Sequence, residues 1–112
     1  MFVEERIYTF KVGKLKEYLE IYEREGMPIQ RRYLPRLIGY YTTEIGDLNQ
    51  VVHLWAYASF EERTRCRQAM RADPGWVPYL AKIHPLLLKQ ENKLLVPAPF
   101  FDLERLVAGM TS

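Results

Sequence analysis

The sequence predicts an α+β domain with the element order β-α-β-β-α-β, and three observations support this prediction. The chain has 112 residues, which is the size of one domain. The spacing of its apolar residues changes along the chain from a period of about 2 to one of about 3.6 and back. Turn and capping residues stand where the period changes. We expect a single domain over residues 1–112, with a core over about residues 2–98 and a tail over residues 99–112.

The first half of the chain predicts a strand and a kinked helix. Residues 2–10 alternate and are rich in β-branched and aromatic side chains, so they predict a strand that ends before Gly13. An apolar stripe with helical spacing follows, and it consists of Leu15, Tyr18, Leu19 and Tyr22. Pro28 lacks an N–H group, so we expect the helix to break or kink at residues 26–28 and to continue in a short second piece.

A β-hairpin and a helix cap are predicted in the middle of the chain. Residues 36–45 and 50–58 are two β-branched and aromatic runs, and the connection between them, residues 46–49, has turn chemistry. A capping box over residues 59–62 then marks the start of the second helix. In this motif a serine oxygen and a glutamate carboxylate accept hydrogen bonds from unpaired backbone N–H groups at the helix start.

The second helix is also interrupted, and a last strand follows it. We expect a pause at residues 73–75, a continuation that includes Leu87, and a bend at Pro85, which removes a backbone hydrogen bond. Residues 92–96 predict the final strand, whereas the segment beyond Phe100 gives no firm prediction. The complete order is ferredoxin-like: a four-stranded antiparallel sheet with both helices on one face.

The two faces of the second hairpin strand differ in the size of their side chains. Val52, Leu54 and Ala56 are small, so we expect them to face the helices. The opposite face carries larger side chains, which are Val51, His53, Trp55 and Tyr57. A monomer would expose this second face to water, and such a large apolar surface is unusual for a soluble monomer. We therefore predict a homodimer in which two sheets pack face to face and form a dimeric α/β barrel.

Composition argues against several classes of partner. The formal net charge is +2, which is too small to indicate a nucleic-acid-binding protein or a polybasic membrane anchor. Cys66 is the only cysteine, so no intrachain disulfide forms, and this favours a reducing compartment. No apolar run is long enough to span a membrane, and the N-terminal residues lack the pattern of a signal peptide. We expect a cytoplasmic protein that neither enters a membrane nor binds nucleic acid.

His53 is the candidate catalytic residue. A histidine on the predicted barrel face, beside Trp55 and Tyr57, can act as a general base or donate a hydrogen bond to a ligand near neutral pH. The alternative is a structural histidine that bonds Tyr41, Glu44 or a backbone carbonyl. Metal or haem binding has little support, because two histidines and one cysteine form no recognisable ligand set. We therefore expect no metal and no cofactor, with a single axial haem ligand, His53 or His84, as the alternative.

A ligand pocket is predicted around the aromatic residues, because apolar walls with a few polar groups are the usual composition of a small-molecule site. An arginine on the first strand would anchor a carboxylate or an enolate. The predicted lining consists of Arg6, Tyr8, Tyr41, Trp55, Tyr57 and Trp76. The same aromatic residues are equally consistent with the filling of a dimer interface. Arginines spaced four apart on the second helix, at positions 63, 67 and 71, are interpreted as a solvated helix face rather than an anion-binding stripe.

A family resemblance covers nearly all of residues 4–100. Its most specific segment runs from Gly39 to Ser59. The supporting segments are Glu5-Arg6, Tyr8-Thr9, Arg63, Arg67, Asp73-Pro74, Trp76 and residues 85–100. On these residues the chain resembles the NIPSNAP family of dimeric α/β-barrel proteins. The resemblance implies the barrel fold and a homodimer but no defined enzymatic activity. More distantly, the family is similar to antibiotic-biosynthesis monooxygenases and haem-degrading enzymes.

Three functional hypotheses follow from these observations. The first is a homodimer whose barrel interior binds a small apolar or aromatic molecule. The second is a cofactor-independent monooxygenase-like enzyme, in which His53 acts as base and Arg6 or a tyrosine stabilises an enolate or phenolate. The third is a protein-interaction module in which the aromatic side chains serve only dimerisation.

Overall fold

The structure, a computed structural model, describes residues 1–110 and contains one antiparallel sheet with the strand order β2-β3-β1-β4. The strands are β1 (Phe2–Phe10), β2 (Arg36–Thr42), β3 (Gln50–Tyr57) and β4 (Leu87–Leu95). The helices are α1 (Leu15–Ile21), α2 (Met27–Tyr33), α3 (Phe60–Arg71), α4 (Trp76–Ile83) and α5 (Leu103–Ala108). The predicted order β-α-β-β-α-β is confirmed, with each predicted helix divided into two pieces. The predicted tail contains α5, and the last two residues of that tail lie outside the described range.

A wide helical turn joins α1 to α2 at the predicted kink. Residues 22–26 form a π-helical turn, in which the Met27 N–H donates to the carbonyl of Tyr22, five residues back. Pro28, which has no N–H to donate, falls in the first turn of α2. The predicted break is therefore a widening of the helix, and it keeps Tyr22 and Ile29 in the same core.

The close approach of Tyr79 explains the glycine at position 26. A Cβ atom on Gly26 would overlap the ring of Tyr79, and Tyr79 is only 2% exposed. We expect Gly26→Ala to displace this buried ring and to lower the free energy of unfolding by about 1–3 kcal/mol, although alanine is the better helix former. Urea unfolding followed by circular dichroism measures the change. Gly109→Ala is the control, because the nearest atom to its Cβ lies 3.6 Å away; equal losses in both variants would contradict the steric explanation.

A bulge in β2 decides which of two adjacent tyrosines faces the helices. Ile38 has no direct pairing partner on β3, so it is an extra residue in β2. Because of this bulge, Tyr40 lies opposite His53 and stacks on it, with 4.5 Å between the ring centroids. Tyr41 lies opposite Val52 on the other face of the sheet and is 58% exposed. The side-chain alternation of β2 therefore changes phase within the strand.

The predicted start and interruption of the second helix are confirmed. Ser59 Oγ accepts a hydrogen bond of 3.1 Å from the Glu62 N–H. The Glu62 carboxylate accepts a hydrogen bond of 2.9 Å from the Ala58 N–H. The predicted capping box would instead use the N–H of Ser59, one residue later. Between α3 and α4, the Asp73 carboxylate accepts a hydrogen bond of 2.8 Å from the Gly75 N–H. The start of α3 therefore uses the predicted serine cap, whereas α4 begins at Trp76 after Gly75 and has no side-chain cap.

Two predicted boundaries are wrong. β2 ends at Thr42, so the hairpin connection covers residues 43–49 rather than 46–49. β4 begins at Leu87, whereas the sequence predicts that Leu87 continues the helix. The cause is Pro85, which ends the helix instead of bending it. A single 3₁₀ turn over His84–Leu86 then leads directly into the strand.

The predicted assignment of the two sheet faces is also wrong. Helices α1–α4 cover the face that carries His53, Trp55 and Tyr57, and each of these side chains is 0% exposed. Val52 and Leu54 lie on the other face and are partly exposed. Alternation predicts that the two sets face opposite ways, but it does not predict which set faces the helices. The larger side chains do so, because they remove more apolar surface from water under a helical layer.

The side of the sheet away from α1–α4 is named the open face, and it carries Val3, Ile7, Val52 and Leu54. Helix α5 covers one end of this face. Leu103 of α5 is 4% exposed, and α5 borders an apolar groove of about 260 Å³ together with Val3 and Leu54. The rest of the open face is left to solvent in the single chain. Within residues 1–110, no helix has the length and apolar character needed to cross a membrane.

Candidate functional site

A group of polar side chains lies between β1, β3 and α3, on the face that the helices cover. On the sheet, Arg6 of β1 lies opposite His53 of β3 and also opposite Asn92 of β4. Helix α3, which packs on this face of the sheet, contributes Arg63 and Arg67. The group is named the polar cluster, and it consists of Glu4, Arg6, His53, Tyr57, Arg63, Arg67 and Asn92. The cluster joins side chains of the sheet to side chains of α3 through hydrogen bonds and charges.

His53 presents a hydrogen-bond donor to the interior of the protein. The indole N–H of Trp55 donates to Nδ1 of His53 at 2.7 Å. Because Nδ1 accepts this hydrogen bond, the neutral imidazole carries its proton on Nε2. No residue among 1–110 forms a hydrogen bond with this buried Nε2 atom. His53 therefore has one unused donor, and its one lone pair is already occupied.

The surroundings of His53 keep it neutral. Burial first, and then the positive charge of Arg6, lower the pKa of His53 to about 3. The rings of Tyr8 and Tyr40 lie against the imidazole, with centroid distances of 4.8 and 4.5 Å. At neutral pH the imidazole is an uncharged donor with no free lone pair, so this geometry does not suit the predicted role of general base.

Glu4 is the buried counter-charge of the polar cluster. Its carboxylate is 0% exposed and accepts two hydrogen bonds from Arg63, at 3.0 and 2.7 Å. Arg6 and Asn92 donate to the same carboxylate at 3.0 and 2.9 Å. Burial alone would raise the pKa of Glu4, but the hydrogen bonds from Arg63 and Asn92 and the arginine charges outweigh it and hold the pKa at about 2. Glu4 is therefore a fixed anion at neutral pH.

Arg67 and Tyr57 carry the remaining free polar groups of the cluster. Arg67 is 8% exposed and Tyr57 is 0% exposed. Within residues 1–110, neither the Nε–H of Arg67 nor the hydroxyl of Tyr57 has a hydrogen-bond partner. Burial raises the pKa of Tyr57, and the nearby Arg67 guanidinium partly opposes this effect. The Arg67 guanidinium thus lies close enough to the Tyr57 hydroxyl for its charge to act on that group.

Tyrosines pack around His53 and continue the site towards α1 and α4. The hydroxyls of Tyr18 and Tyr40 share a hydrogen bond, and the Tyr22 hydroxyl donates to Oε1 of Gln30 at 2.7 Å. Burial is the main cause that raises the pKa values of Tyr18, Tyr22, Tyr40 and Tyr79. These hydroxyls therefore stay protonated at neutral pH, and none of them supplies a base.

The arrangement favours binding of a hydrogen-bond acceptor over binding of a metal. The unused groups are an imidazole N–H, a guanidinium N–H and a phenol hydroxyl, all of which can donate. Metal ions require lone pairs from several ligands. No group of three or more His, Cys, Asp or Glu side chains within residues 1–110 has a geometry that could hold a metal ion.

The structure brings together five of the seven predicted site residues, and these are Arg6, Tyr8, His53, Trp55 and Tyr57. Tyr41 does not belong to the group, because the bulge in β2 turns it to the open face. Trp76 lies at the start of α4 and packs on Tyr79 at 5.2 Å between ring centroids, within the same core. The predicted location between two sheets is wrong, because the cluster lies between the sheet and the helices of one chain.

Five residues of the site are not among the predicted site residues, and these are Glu4, Tyr40, Arg63, Arg67 and Asn92. Glu4 alternates with Arg6 and Tyr8 along β1, so a strand reading could have found it. The sequence predicts a solvated helix face for Arg67, yet Arg67 is buried, whereas Arg71 of the same stripe is exposed. The position of Tyr40 depends on a bulge that leaves no signal in the sequence.

Comparison with known proteins identifies the family. A sequence model of the NIPSNAP family matches residues 3–101. The chain belongs to the NIPSNAP family. Among curated relatives, Protein NipSnap homolog 3A from Homo sapiens is 34% identical over 111 residues, which cover 94% of this chain. The match covers 42% of the human protein, so the chain spans about two fifths of that relative's length.

Solved structures of bacterial NIPSNAP proteins share this fold. A NIPSNAP-like domain protein from Burkholderia xenovorans is 49% identical with a TM-score of 0.85, and the match covers 90% of this chain and 88% of that one. A NIPSNAP family protein with unknown function from Agrobacterium tumefaciens is 43% identical with a TM-score of 0.87, and the match covers 92% and 93% of the two chains. The predicted NIPSNAP resemblance is confirmed, and family membership brings no defined biochemical role.

Two distant structures show the fold alone. A dimeric ferredoxin-like protein from an uncultured marine organism has a TM-score of 0.69 at 16% identity, covering 90% of this chain and 91% of that one. A putative antibiotic biosynthesis monooxygenase from Nitrosomonas europaea has a TM-score of 0.63 at 11% identity, covering 87% and 98%. The predicted ferredoxin-like fold is confirmed. Helix α5 lies beyond the segment that the family model matches.

Proposed function

We propose that this NIPSNAP protein is a homodimer that binds a small molecule with an aromatic or otherwise apolar body at the polar cluster of each subunit. One observation carries the proposal: His53, Tyr57 and Arg67 each leave a buried polar atom without a partner. An unpaired buried group costs about 1–3 kcal/mol, and a bound acceptor would offset that cost. The rings of Tyr8 and Tyr40, which pack on the His53 imidazole, make the surroundings of these polar atoms apolar.

Binding is favoured over the two other functions considered from the sequence. A monooxygenase-like enzyme with His53 as base would need a free lone pair on the imidazole, and the Trp55 N–H engages that lone pair. An interaction module with aromatic side chains at a dimer interface would need those side chains on the open face. Trp55 and Tyr57 instead lie under the helices with 0% exposure.

The test of the binding proposal is native mass spectrometry of the purified protein, followed by analysis of any small molecule released on denaturation. We expect a dimer that carries such a molecule, or that binds one from a panel of small aromatic compounds. Tyr57→Phe removes one free hydroxyl and should lower the occupancy. Tyr33→Phe is the control, because the Tyr33 hydroxyl is already paired with Asp73 at 2.8 Å, outside the polar cluster. A wild-type protein that carries nothing and binds no member of the panel would contradict the proposal.

The proposed dimer uses the open face. Val3, Ile7, Val52 and Leu54 are apolar side chains that a single chain leaves partly exposed on this face, with Glu5 opposite Leu54 among them. A second sheet would remove these apolar side chains from water. A protein of the same fold that is described as dimeric supports a dimer, without indicating the face it uses. A cytoplasmic location is also proposed, and it is supported by the free thiol of Cys66, which suits a reducing compartment.

A charge on the open face is expected to separate the subunits. Val52→Glu would place a carboxylate in the centre of the proposed interface, where burial of an unpaired charge costs several kcal/mol. We expect a shift from dimer to monomer in native mass spectrometry and gel filtration. Val77→Glu is the matched control, since Val77 is 67% exposed on the outer side of α4 and should leave the dimer intact. A monomeric wild type, or a dimer unaffected by Val52→Glu, would overturn this arrangement.

A further inference from the structure

We infer that the polar cluster recognises a carboxylate, held by Arg67 with the His53 and Tyr57 side chains beside it. This inference rests on the proposed function, and it adds the chemical class of the ligand. Three features lead to it: the charge balance of the cluster, the donor character of its unused atoms, and the aromatic rings that surround them.

The charge balance leaves Arg67 without a counter-ion. Glu4 is the carboxylate of the cluster, and both of its oxygens are already used. Arg63 donates to each oxygen, and Arg6 and Asn92 donate to one of them. Arg67 has no ion-pair partner within residues 1–110, although it is only 8% exposed. Arg6, Arg63 and Arg67 therefore share the single negative charge of Glu4, and the Arg67 Nε–H is buried without a partner, so a bound anion would offset the excess positive charge.

The unused atoms of the cluster match the acceptor sites of a carboxylate. A carboxylate has two oxygens with about four lone-pair directions and no proton to donate. The cluster offers the Arg67 Nε–H, the His53 Nε2–H and the Tyr57 hydroxyl, all without partners within residues 1–110. Charge-assisted hydrogen bonds between arginine and carboxylate are among the strongest that proteins use. A neutral amide would place its own N–H donors against some of these donors.

The rings around the cluster favour an organic acid over inorganic phosphate. The Tyr8 ring meets the His53 imidazole edge-on, and the Tyr40 ring stacks on it. Trp55 completes this wall through its hydrogen bond to the same imidazole. A phosphate has no apolar surface to bury against these rings. The apolar body of an aryl or arylalkyl acid binds more favourably, because its transfer from water to an apolar environment lowers the free energy.

The inference is tested with matched acid and amide pairs: benzoate and benzamide, phenylacetate and phenylacetamide, indole-3-acetate and indole-3-acetamide. Isothermal titration calorimetry on the wild-type protein is expected to show at least one acid binding roughly 10- to 100-fold more tightly than its amide. Inorganic phosphate should bind more weakly than that acid. Arg67→Met should remove the preference for the acid. Arg71→Met is the control, because Arg71 is exposed one turn further along α3, and it should keep the preference.

The outcomes of this experiment distinguish failure of the carboxylate inference from failure of the small-molecule binding proposal. Acids and amides that bind equally well, phosphate that binds best, or an Arg67→Met variant that keeps the preference would overturn the carboxylate while small-molecule binding stands. If no probe binds, the molecule that co-purifies with the protein is the test. A co-purified acid supports the carboxylate inference, and a neutral molecule overturns that inference but leaves small-molecule binding intact. A protein that carries no molecule overturns both proposals. Arg67→Lys, which keeps the charge but loses the planar fork, is the second variant if Arg67→Met does not fold, and an intermediate preference is expected from it.

Discussion

Replacing Glu4 with glutamine is expected to lower the free energy of unfolding by about 3–5 kcal/mol, the cost of removing one partner from a buried ion pair. The substitution keeps the shape of the side chain but removes the charge that compensates Arg6 and Arg63. Both arginines bond the carboxylate at 3.0 Å or less, and the Glu4 side chain is 0% exposed. Urea unfolding at a fixed protein concentration measures the loss, since the stability of a dimer depends on concentration.

Glu25→Gln is the control for Glu4→Gln. Glu25 also pairs with a lysine, Lys82, at 2.8 Å, but the pair lies on the surface, with exposures of 54% for Lys82 and 26% for Glu25. Surface pairs contribute little to stability, so its replacement should have a much smaller effect. Similar losses in the two variants would contradict the role of Glu4 as a buried counter-charge.

Acid should weaken the protein in two separable steps, and His53 accounts for the first. The pKa of His53 is about 3 in the folded chain and about 6.5 when unfolded. Between these values only the unfolded state binds the proton, so stability is fully present above about pH 6.5 and falls as the pH decreases. From about pH 6.5 to 4.5 the loss is about 2–3 kcal/mol. Unfolding free energies measured across this range test the expectation.

His53→Gln should remove most of the first step, because glutamine does not titrate. His84→Gln should retain it, because His84 is an exposed histidine in the 3₁₀ turn. The second step belongs to Glu4, whose folded pKa of about 2 lies below the unfolded value. Its contribution is present above the unfolded pKa and is lost as the pH falls towards about 2. An unchanged profile in His53→Gln would show that the histidine is not held neutral.

Most of the fold can be predicted from the sequence, because short local signals define most of its elements. The strand over residues 2–10, the kink near Pro28 and the cap at Ser59 are each encoded within a few residues, and each is confirmed. The start of β4 could not be placed, because a proline either bends or ends a helix depending on what lies beyond it. The choice of sheet face could not be made either, since it depends on how much volume the helices must cover.

The site is predictable in composition but not in location. Arg6, His53 and Trp55 were identified as candidates because polar groups beside aromatic rings are typical of binding sites. Their place under α3, rather than between two sheets, follows from the face assignment. Arg67 shows the limit of a sequence reading, because a buried arginine and a solvated one have the same helical spacing. Only packing distinguishes it from Arg71.

The central claim is that His53 holds a neutral imidazole with a free Nε2–H in the interior. The most direct test is a long-range proton–nitrogen NMR correlation spectrum of the histidine side chains, which distinguishes the two neutral tautomers and the imidazolium. We predict the neutral Nε2–H form of His53 from neutral pH down to about pH 4.5, consistent with its lowered pKa. An Nδ1–H tautomer, or an imidazolium at about pH 6, the usual range of a histidine, would contradict the account.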